Sequence, residues 1–140
     1  MPHAKSYLKM MAAVVDMVNN SAAIPGSGNV PVAFTHTQDV ARYVAASLTL
    51  PRWSSRTWLV GGKVTWNEVV ALAERAKGIK FNVVYDSVEM MKAGRVTALP
   101  SQLEMRTFIP QEILEGNLSL YGLLFEAGVF ELIPEAWGGK

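Results

Sequence analysis

His36 and Asp86 are the side chains of this 140-residue chain best suited to moving a proton. His36 stands between an apolar segment that predicts a strand and a segment that predicts a helix, a junction where α/β proteins often carry functional groups. Imidazole takes up and releases protons near neutral pH, and a buried aspartate serves as a general base. Simpler roles stay open: His36 bonded to the local backbone or to Asp39, and Asp86 capping the next helix.

Four further side chains are candidates for contacting a small-molecule substrate. Tyr7 and Tyr43 carry phenol groups that can donate a hydrogen bond to a ligand carbonyl, and Tyr85 directly precedes Asp86. Met11 lies in an apolar stripe, and methionine adapts its shape to irregular apolar ligands. For Tyr43, packing at the surface of its helix is the alternative.

Composition excludes or disfavours several other kinds of chemistry. The chain has no cysteine, so a disulfide, a thiolate metal site and a cysteine nucleophile are excluded. Its 2 histidines and its carboxylates lack metal-ligand spacing, and no Gly-x-Ser-x-Gly sequence marks a nucleophilic serine. The formal net charge of +1 gives no reason to expect nucleic acid or an anionic membrane surface as a partner. We therefore expect neither a metal nor a nucleic-acid or membrane partner.

Length and hydropathy predict one domain over residues 1–140 with a hydrophobic core. The expected location is the cytoplasm. Half of the residues are hydrophobic and 18% are charged. Charged residues interrupt the N-terminal apolar run, so no secretory signal is predicted. No stretch approaches the roughly 18 apolar residues that a membrane span requires.

Alternating helices and strands are predicted to position the candidate side chains. Such alternation favours an α/β fold with a small, mostly parallel sheet and packed helices. One helix has Val40, Val44 and Leu48 as its expected inner face. Helices are predicted over residues 6–20, from a Thr37 cap to Pro51, from a Thr65–Glu68 capping box to Gly78, from a Ser87 cap to Ala93 and over 111–130. Strands are predicted over residues 32–35, 57–60 and 81–85. Residues 94–110 are predicted to be mostly loop.

A glycine-rich turn over residues 25–29 precedes the first predicted strand. Gly26 and Gly28 are suited to positive φ. A dinucleotide-binding loop needs a third glycine and must open a helix, whereas here the third position is Pro31 and a strand follows. The turn is therefore interpreted as a strand-entry turn rather than a phosphate site, and no nicotinamide cofactor is expected.

Four segments together give the chain a family resemblance over nearly its whole length. They are Ile-Pro-Gly-Ser-Gly-Asn at 24–29, Phe-Thr-His-Thr-Gln-Asp-Val-Ala at 34–41, Val-Thr-Trp-Asn-Glu at 64–68 and Tyr-Asp-Ser-Val-Glu at 85–89. In order and spacing they resemble the C-terminal, substrate-side half of fungal NmrA-like, isoflavone-reductase-like proteins, which are atypical short-chain dehydrogenases. The family's N-terminal nucleotide-binding half, with its glycine fingerprint and catalytic lysine, has no counterpart in this sequence.

The resemblance implies a protein that binds a largely apolar polyketide- or terpenoid-like intermediate of secondary metabolism. Our first hypothesis is a cofactor-independent enzyme that promotes cyclisation, isomerisation or dehydration, with His36 and Asp86 as acid and base. The alternatives are a non-catalytic ligand-binding or regulatory module, and a truncated NAD(P)H-dependent reductase. Without the nucleotide-binding half, the strands at 32–35 and 57–60 would expose an edge and an apolar face, so a homodimer is expected.

Overall fold

One strand lies at the centre of the fold and the other elements are arranged around it. The structure is a computed structural model that describes residues 12–133. Its strands are β1 (Val15–Asp16), β2 (Ser21–Pro25), β3 (Val32–Phe34), β4 (Gly62–Val64) and β5 (Asn82–Asp86), and its helices are α1 (Thr37–Ser47), α2 (Trp66–Lys77), α3 (Val88–Lys92), α4 (Pro100–Met105) and α5 (Gln111–Glu126), followed by a 3-10 turn at Val129–Glu131. The predicted α/β class is confirmed.

The strands described within residues 12–133 form two small sheets, the first mixed and the second antiparallel. In the first sheet, β2 is antiparallel to β1 and parallel to β5. The pairing of β2 with β5 runs from Ser21 opposite Asn82 to Pro25 opposite Asp86. In the second sheet, β3 pairs with β4 in antiparallel register. One of the three ladders is parallel, so the sheet is mixed rather than mostly parallel.

The core lies on both faces of β2. All five of its residues are buried, and Ile24 has no exposed surface. From α2 the core receives Val70 and Ala73, and Val14 and Phe81 complete it from the neighbouring chain segments. On the other side, Gly122 of α5 lies directly against Met91 and Pro25, where any side chain would collide with the methionine sulfur. The missing side chain at Gly122 therefore allows α5 to approach both β2 and α3.

A chain of aromatic rings joins the two sheets. Trp66, at the start of α2, makes edge-to-face contacts with Phe34 of β3 and Phe125 of α5, at centroid distances of 5.4 and 5.1 Å. Phe125 in turn contacts Phe130 at 4.7 Å. Such pairs stabilise a fold beyond the area that they bury. The rings fix the position of the β3–β4 sheet relative to the central strand.

The Thr65–Glu68 capping box is confirmed. The Thr65 hydroxyl accepts from the Glu68 N–H at 3.2 Å, and the Glu68 carboxylate accepts from the Thr65 N–H at 2.8 Å. The Ser87 cap of α3 is confirmed as well. At α1 the prediction was wrong by one residue, since His36 rather than Thr37 is the N-cap, and its Nδ1 accepts from the Gln38 N–H at 3.2 Å.

The predicted helix over residues 6–20 is wrong where the structure describes it, from residue 12 onward. The segment forms β1 and a tight turn instead. Asp16 causes this, because its Oδ1 accepts the backbone N–H groups of Val18 and Asn19, which a helix would bond elsewhere. Asn20 then takes a positive φ of 51° and leads the chain into β2.

Two further predictions need correction. Residues 57–60 form no strand, because the chain there is held by side chain–backbone bonds such as Thr35 Oγ1 to Leu59 O at 3.0 Å, and the strand begins at Gly62. The predicted loop over 94–110 contains α4, whose start has Pro100 at a first-turn position and Gln102 bonded back to the Leu99 N–H. Within residues 12–133, no helix is long and apolar enough to cross a membrane.

The helix α1 exposes the face that was expected to be inside. It contributes no buried residue, and Val44 and Leu48 are 52% and 64% exposed. The apolar surface continues past the helix through Leu50 and Trp53, which are 55% and 67% exposed. An apolar patch of this kind typically marks a contact surface. The homodimer stays a prediction, and this surface is where we expect it to form.

We expect the chain to self-associate to twice its 15.3 kDa mass, and Leu48→Glu to shift it to the monomer. A carboxylate in an apolar contact is costly to desolvate. Light scattering after size exclusion measures the mass. Leu72→Glu is the matched control, because Leu72 is 48% exposed on α2, outside this surface. A wild-type monomer at micromolar concentration, or equal effects of the two variants, would contradict the expectation.

Candidate functional site

The ends of β2 and β5 meet at one edge of the first sheet, where parallel strands commonly present functional groups. Pro25 ends β2 directly opposite Asp86, which ends β5. The Gly26 N–H donates to the Asp86 carbonyl at 2.8 Å, so the chain turns away from β2 at this point. The glycine-rich turn and the candidate base Asp86 are therefore neighbours, although 60 residues separate them in the sequence.

The predicted turn over residues 25–29 is confirmed, and both glycines are required by its geometry. Gly26 and Gly28 have φ values of 60° and 69°. A Cβ at Gly28 would lie 2.6 Å from the Ile24 side chain and 2.8 Å from Asn67 Oδ1, and one at Gly26 would collide with the Glu126 carboxylate. The turn is thus packed closely against both α2 and α5.

Asn67 connects the turn to α2 and β5. Its backbone N–H donates to the Gly28 carbonyl, and its Nδ2 donates to Ser27 O at 3.1 Å and to Asn29 Oδ1 at 2.8 Å. Its Oδ1 accepts from the Tyr85 hydroxyl at 2.9 Å. One amide side chain therefore holds the turn and the end of β5 in a fixed relation.

Glu126 occupies the position that an anion would take in the turn. The Ser27 N–H donates to Glu126 Oε2 at 3.2 Å, and the Ser27 hydroxyl receives the Asn29 N–H at 3.2 Å. Three backbone N–H groups of the turn, those of Gly26, Ser27 and Asn29, are therefore already bonded within the protein. This geometry favours the strand-entry interpretation of the turn over a phosphate site.

Asp86 is buried, with 3% of its surface exposed, and Thr97 is its partner. The Thr97 N–H is shared between Oδ1 and Oδ2 at 3.1 and 3.0 Å, and the Thr97 hydroxyl donates to Oδ1 at 2.6 Å. Asp86 therefore does not cap α3, since Ser87 has that role. It fixes the segment between α3 and α4 against the end of β5.

Two adjoining cavities lie in this part of the fold, and Asp86 lines the smaller one. The inner cavity holds about 20 Å³ of free space, enough for one water molecule, and Asp86, Met91, Thr97 and Gln102 are among its lining residues. The outer groove is much larger, at about 490 Å³, which is the size of a small-molecule site. It is lined by Ala13, Ile109, Leu114, Asn117, Leu118, Tyr121 and Phe125, and four of these residues, Ala13, Leu118, Tyr121 and Phe125, line the inner cavity too.

A pair of buried polar side chains positions the wall of the inner cavity. Asp16 Oδ2 accepts from the Ser101 N–H at 2.9 Å, and Gln102 Nε2 donates to the Ala12 carbonyl at 2.7 Å. Burial alone would raise the pKa of Asp16, but hydrogen bonds from the Asn19 side chain, the Ser101 backbone and the Asn19 backbone lower this pKa to about 2. These bonds hold α4 against β1.

The candidate residues predicted from sequence lie in different parts of the structure. Asp86 lines the inner cavity, and Tyr85 is exposed and bonded to Asn67. His36 is exposed at the start of α1, Tyr43 is 55% exposed on the same helix, and neither is among the residues that line the two cavities. Tyr7 and Met11 lie outside the described residues. No cluster of three or more metal-ligating side chains occurs within residues 12–133.

Sequence reasoning missed the residues that carry most of the site's geometry. Asn67 was seen only as part of the α2 capping segment, and Glu126 only as part of a helix. Thr97 and Gln102 fell in the segment predicted to be loop. The Pro100 start of α4 was the available signal for Gln102, because proline favours the first turn of a helix.

The chain is similar to part of several fungal proteins named as oxidoreductases. It is 30% identical to oxidoreductase swnN of Metarhizium robertsii over 148 aligned positions, which cover 96% of this chain and 43% of swnN. It is 38% identical over 81 residues to oxidoreductase BOA1 of Botryotinia fuckeliana, and 42% identical over 55 residues to oxidoreductase swnR of Arthroderma benhamiae. These cover 58% and 38% of this chain but 27% and 18% of the relatives. The chain thus spans less than half the length of each, and no family model matches it.

The low pKa of Asp16 predicts a specific loss of stability in acid. Because the folded pKa of about 2 lies below the ordinary 3.8, the contribution of Asp16 is complete above pH 4 and disappears as the pH falls through 2. Asp16→Asn should lower the free energy of unfolding by about 2 kcal/mol at pH 7, with little difference from wild type near pH 2. Urea unfolding at both pH values measures this, with the exposed Asp39→Asn as control. A pH-independent difference would contradict the assignment.

Proposed function

We propose that this chain forms the substrate-binding part of an NmrA-like protein related to the fungal oxidoreductases, and that it holds a largely apolar small molecule in the outer groove. The observation that carries the proposal is the groove itself. It provides about 490 Å³ of space, and its lining is mostly aliphatic and aromatic. Sites for apolar metabolites are typically clefts of this size with a few convergent polar groups.

The NmrA-like assignment is supported by where the four resembling segments lie. The turn at 24–29 and the segment at 85–89 both bond to Asn67, which belongs to the segment at 64–68. The fourth segment, at 34–41, contributes Phe34, whose ring contacts Trp66 of the same third segment. Residues that identify a family are expected to meet in one structural unit, and these four do.

Conversion of the ligand without a nicotinamide is the second candidate, and Asp86 favours it. A buried carboxyl group in the inner cavity, which shares four lining residues with the groove, is suited to accept a proton in a cyclisation, isomerisation or dehydration of a polyketide- or terpenoid-like intermediate. His36 remains the partner that the sequence predicts for this role. A non-catalytic ligand sensor would use the same groove without turnover.

We expect the wild-type chain to bind the apolar fluorophore N-phenylnaphthylamine saturably, and Tyr121→Ala to weaken binding several-fold. Tyr121 lines the groove, and truncation removes a large apolar contact. Leu120→Ala is the matched control, because Leu120 is the neighbouring residue of α5, is 55% exposed and does not line the groove. Fluorescence titration gives both dissociation constants. Absence of binding, or equal loss in both variants, would contradict the proposal.

We expect no saturable NADPH binding by this chain. The glycine-rich turn is followed by a strand rather than a helix, and three of its N–H groups are bonded to Glu126, Ser27 and Asp86. NADPH fluorescence is titrated on protein whose folding is verified by N-phenylnaphthylamine binding. Saturation at micromolar NADPH would overturn the expectation and favour the alternative of a truncated NAD(P)H-dependent reductase.

A further inference from the structure

The inner cavity has two buried polar side chains in an otherwise mostly apolar lining. Asp86 is 3% exposed and Gln102 is 2% exposed, and the cavity is also lined by Val14, Pro25, Met91, Val96, Leu118 and Phe125. The inner cavity shares four lining residues with the outer groove, so these two side chains lie in the space that adjoins the proposed ligand site. Their hydrogen-bonding capacity then decides which chemical group that end must carry.

Asp86 has unused capacity to accept hydrogen bonds. Two donors of Thr97, its N–H and its hydroxyl, reach the carboxyl group. They make three contacts, two with Oδ1 and one with Oδ2. Two carboxylate oxygens together accept about four hydrogen bonds. Oδ2 is therefore the atom best able to accept a donor from a ligand.

Gln102 has unused capacity to donate. Its Oε1 accepts from the Leu99 N–H at 3.0 Å, and its Nε2 donates to the Ala12 carbonyl at 2.7 Å, so the two bonds define which way the amide points. An amide nitrogen carries two N–H groups, and the bond to Ala12 uses one of them. The second can serve an acceptor atom in the cavity that Gln102 lines.

We infer that the ligand of the outer groove carries a hydroxyl group that enters the inner cavity, donates to Asp86 and accepts from Gln102. The inference rests on the proposed function, because it assumes a ligand in the groove. A hydroxyl is both donor and acceptor, and the free space of about 20 Å³ admits a group of the size of one water. The substrate class is thus an apolar alcohol or enol.

A protonated amine, an ether and a hydrocarbon end each satisfy at most one of the two side chains. A protonated amine can donate to Asp86 but offers nothing for Gln102 to donate to, and an ether accepts from Gln102 but leaves Asp86 without a donor. A hydrocarbon end leaves both unsatisfied. A site with buried polar groups discriminates strongly against a ligand that leaves them unpaired.

Four probes with the same naphthalene body test this inference on the wild-type chain. They are naphthylethanol, naphthylethyl methyl ether, naphthylethylamine and ethylnaphthalene, each measured by displacement of N-phenylnaphthylamine. Naphthylethanol is expected to bind tightest, by about tenfold over ethylnaphthalene, with the ether and the amine between them. If the amine, the ether or the hydrocarbon binds as tightly as the alcohol, the inference is overturned.

Asp86→Asn tests the role of the carboxyl group directly. The Thr97 donors should hold the amide oxygen and turn the amide nitrogen toward the ligand, so the preference for the alcohol over the ether should disappear. Glu104→Gln is the matched control, because it makes the same chemical change at an exposed position of α4 and should keep the preference. An unchanged preference in Asp86→Asn overturns the inference; if this variant does not fold, the wild-type ranking decides alone.

The two proposals fail in different ways. If N-phenylnaphthylamine does not bind to the wild-type chain, the groove is not a ligand site and the proposed function fails. If the fluorophore binds but the four probes displace it equally well, the groove function stands and the hydroxyl inference fails.

Discussion

The complete burial of β2 is the constraint on which the rest of this structure depends. A strand with five buried residues needs cover on both faces, and its small residues Ala22 and Ala23 leave room for close packing. On one face α2 supplies Val70 and Ala73, and on the other Gly122 lets α5 come close. The groove depends on this arrangement, since α5 supplies five of the seven residues that line it.

The segments that carry the family resemblance are in contact with one another around Asn67. The segments that resemble NmrA-like proteins are short and far apart in sequence, yet they meet at Trp66 and Asn67, where the Phe34 ring contacts Trp66 and the segments at 24–29 and 85–89 hydrogen-bond to Asn67. A change at any of these positions would disturb contacts to the other segments. These segments therefore share the contacts of one junction, where Glu126 also accepts a hydrogen bond from the Ser27 backbone.

Local signals in the sequence predicted the elements that are stabilised locally. The capping box of α2, the glycines of the turn and the Ser87 cap each depend on residues within a few positions, and all three are confirmed.

The errors arise where distant contacts decide. Asp16 bonds locally to the N–H groups of Val18 and Asn19 but also to the distant Ser101 N–H, and β1 pairs with β2; periodicity alone cannot reveal these last contacts. The prediction of an inner face for α1 was wrong because no element within residues 12–133 covers that face. Of the candidate site, Asp86 was identified from its position at a strand end, whereas the groove depends on the packing of α5.

The bonds that complete the site join residues from opposite ends of the described chain. Ser27 and Glu126 are 99 positions apart, Ala12 and Gln102 are 90, and Asp16 and Ser101 are 85. Closing loops of this length costs chain entropy before any contact compensates for it, so structures rich in such contacts fold slowly. During synthesis one face of the central strand β2 stays uncovered until the ribosome has released α5. Until then the nascent chain exposes a strand of small apolar residues, the kind of surface that chaperones protect.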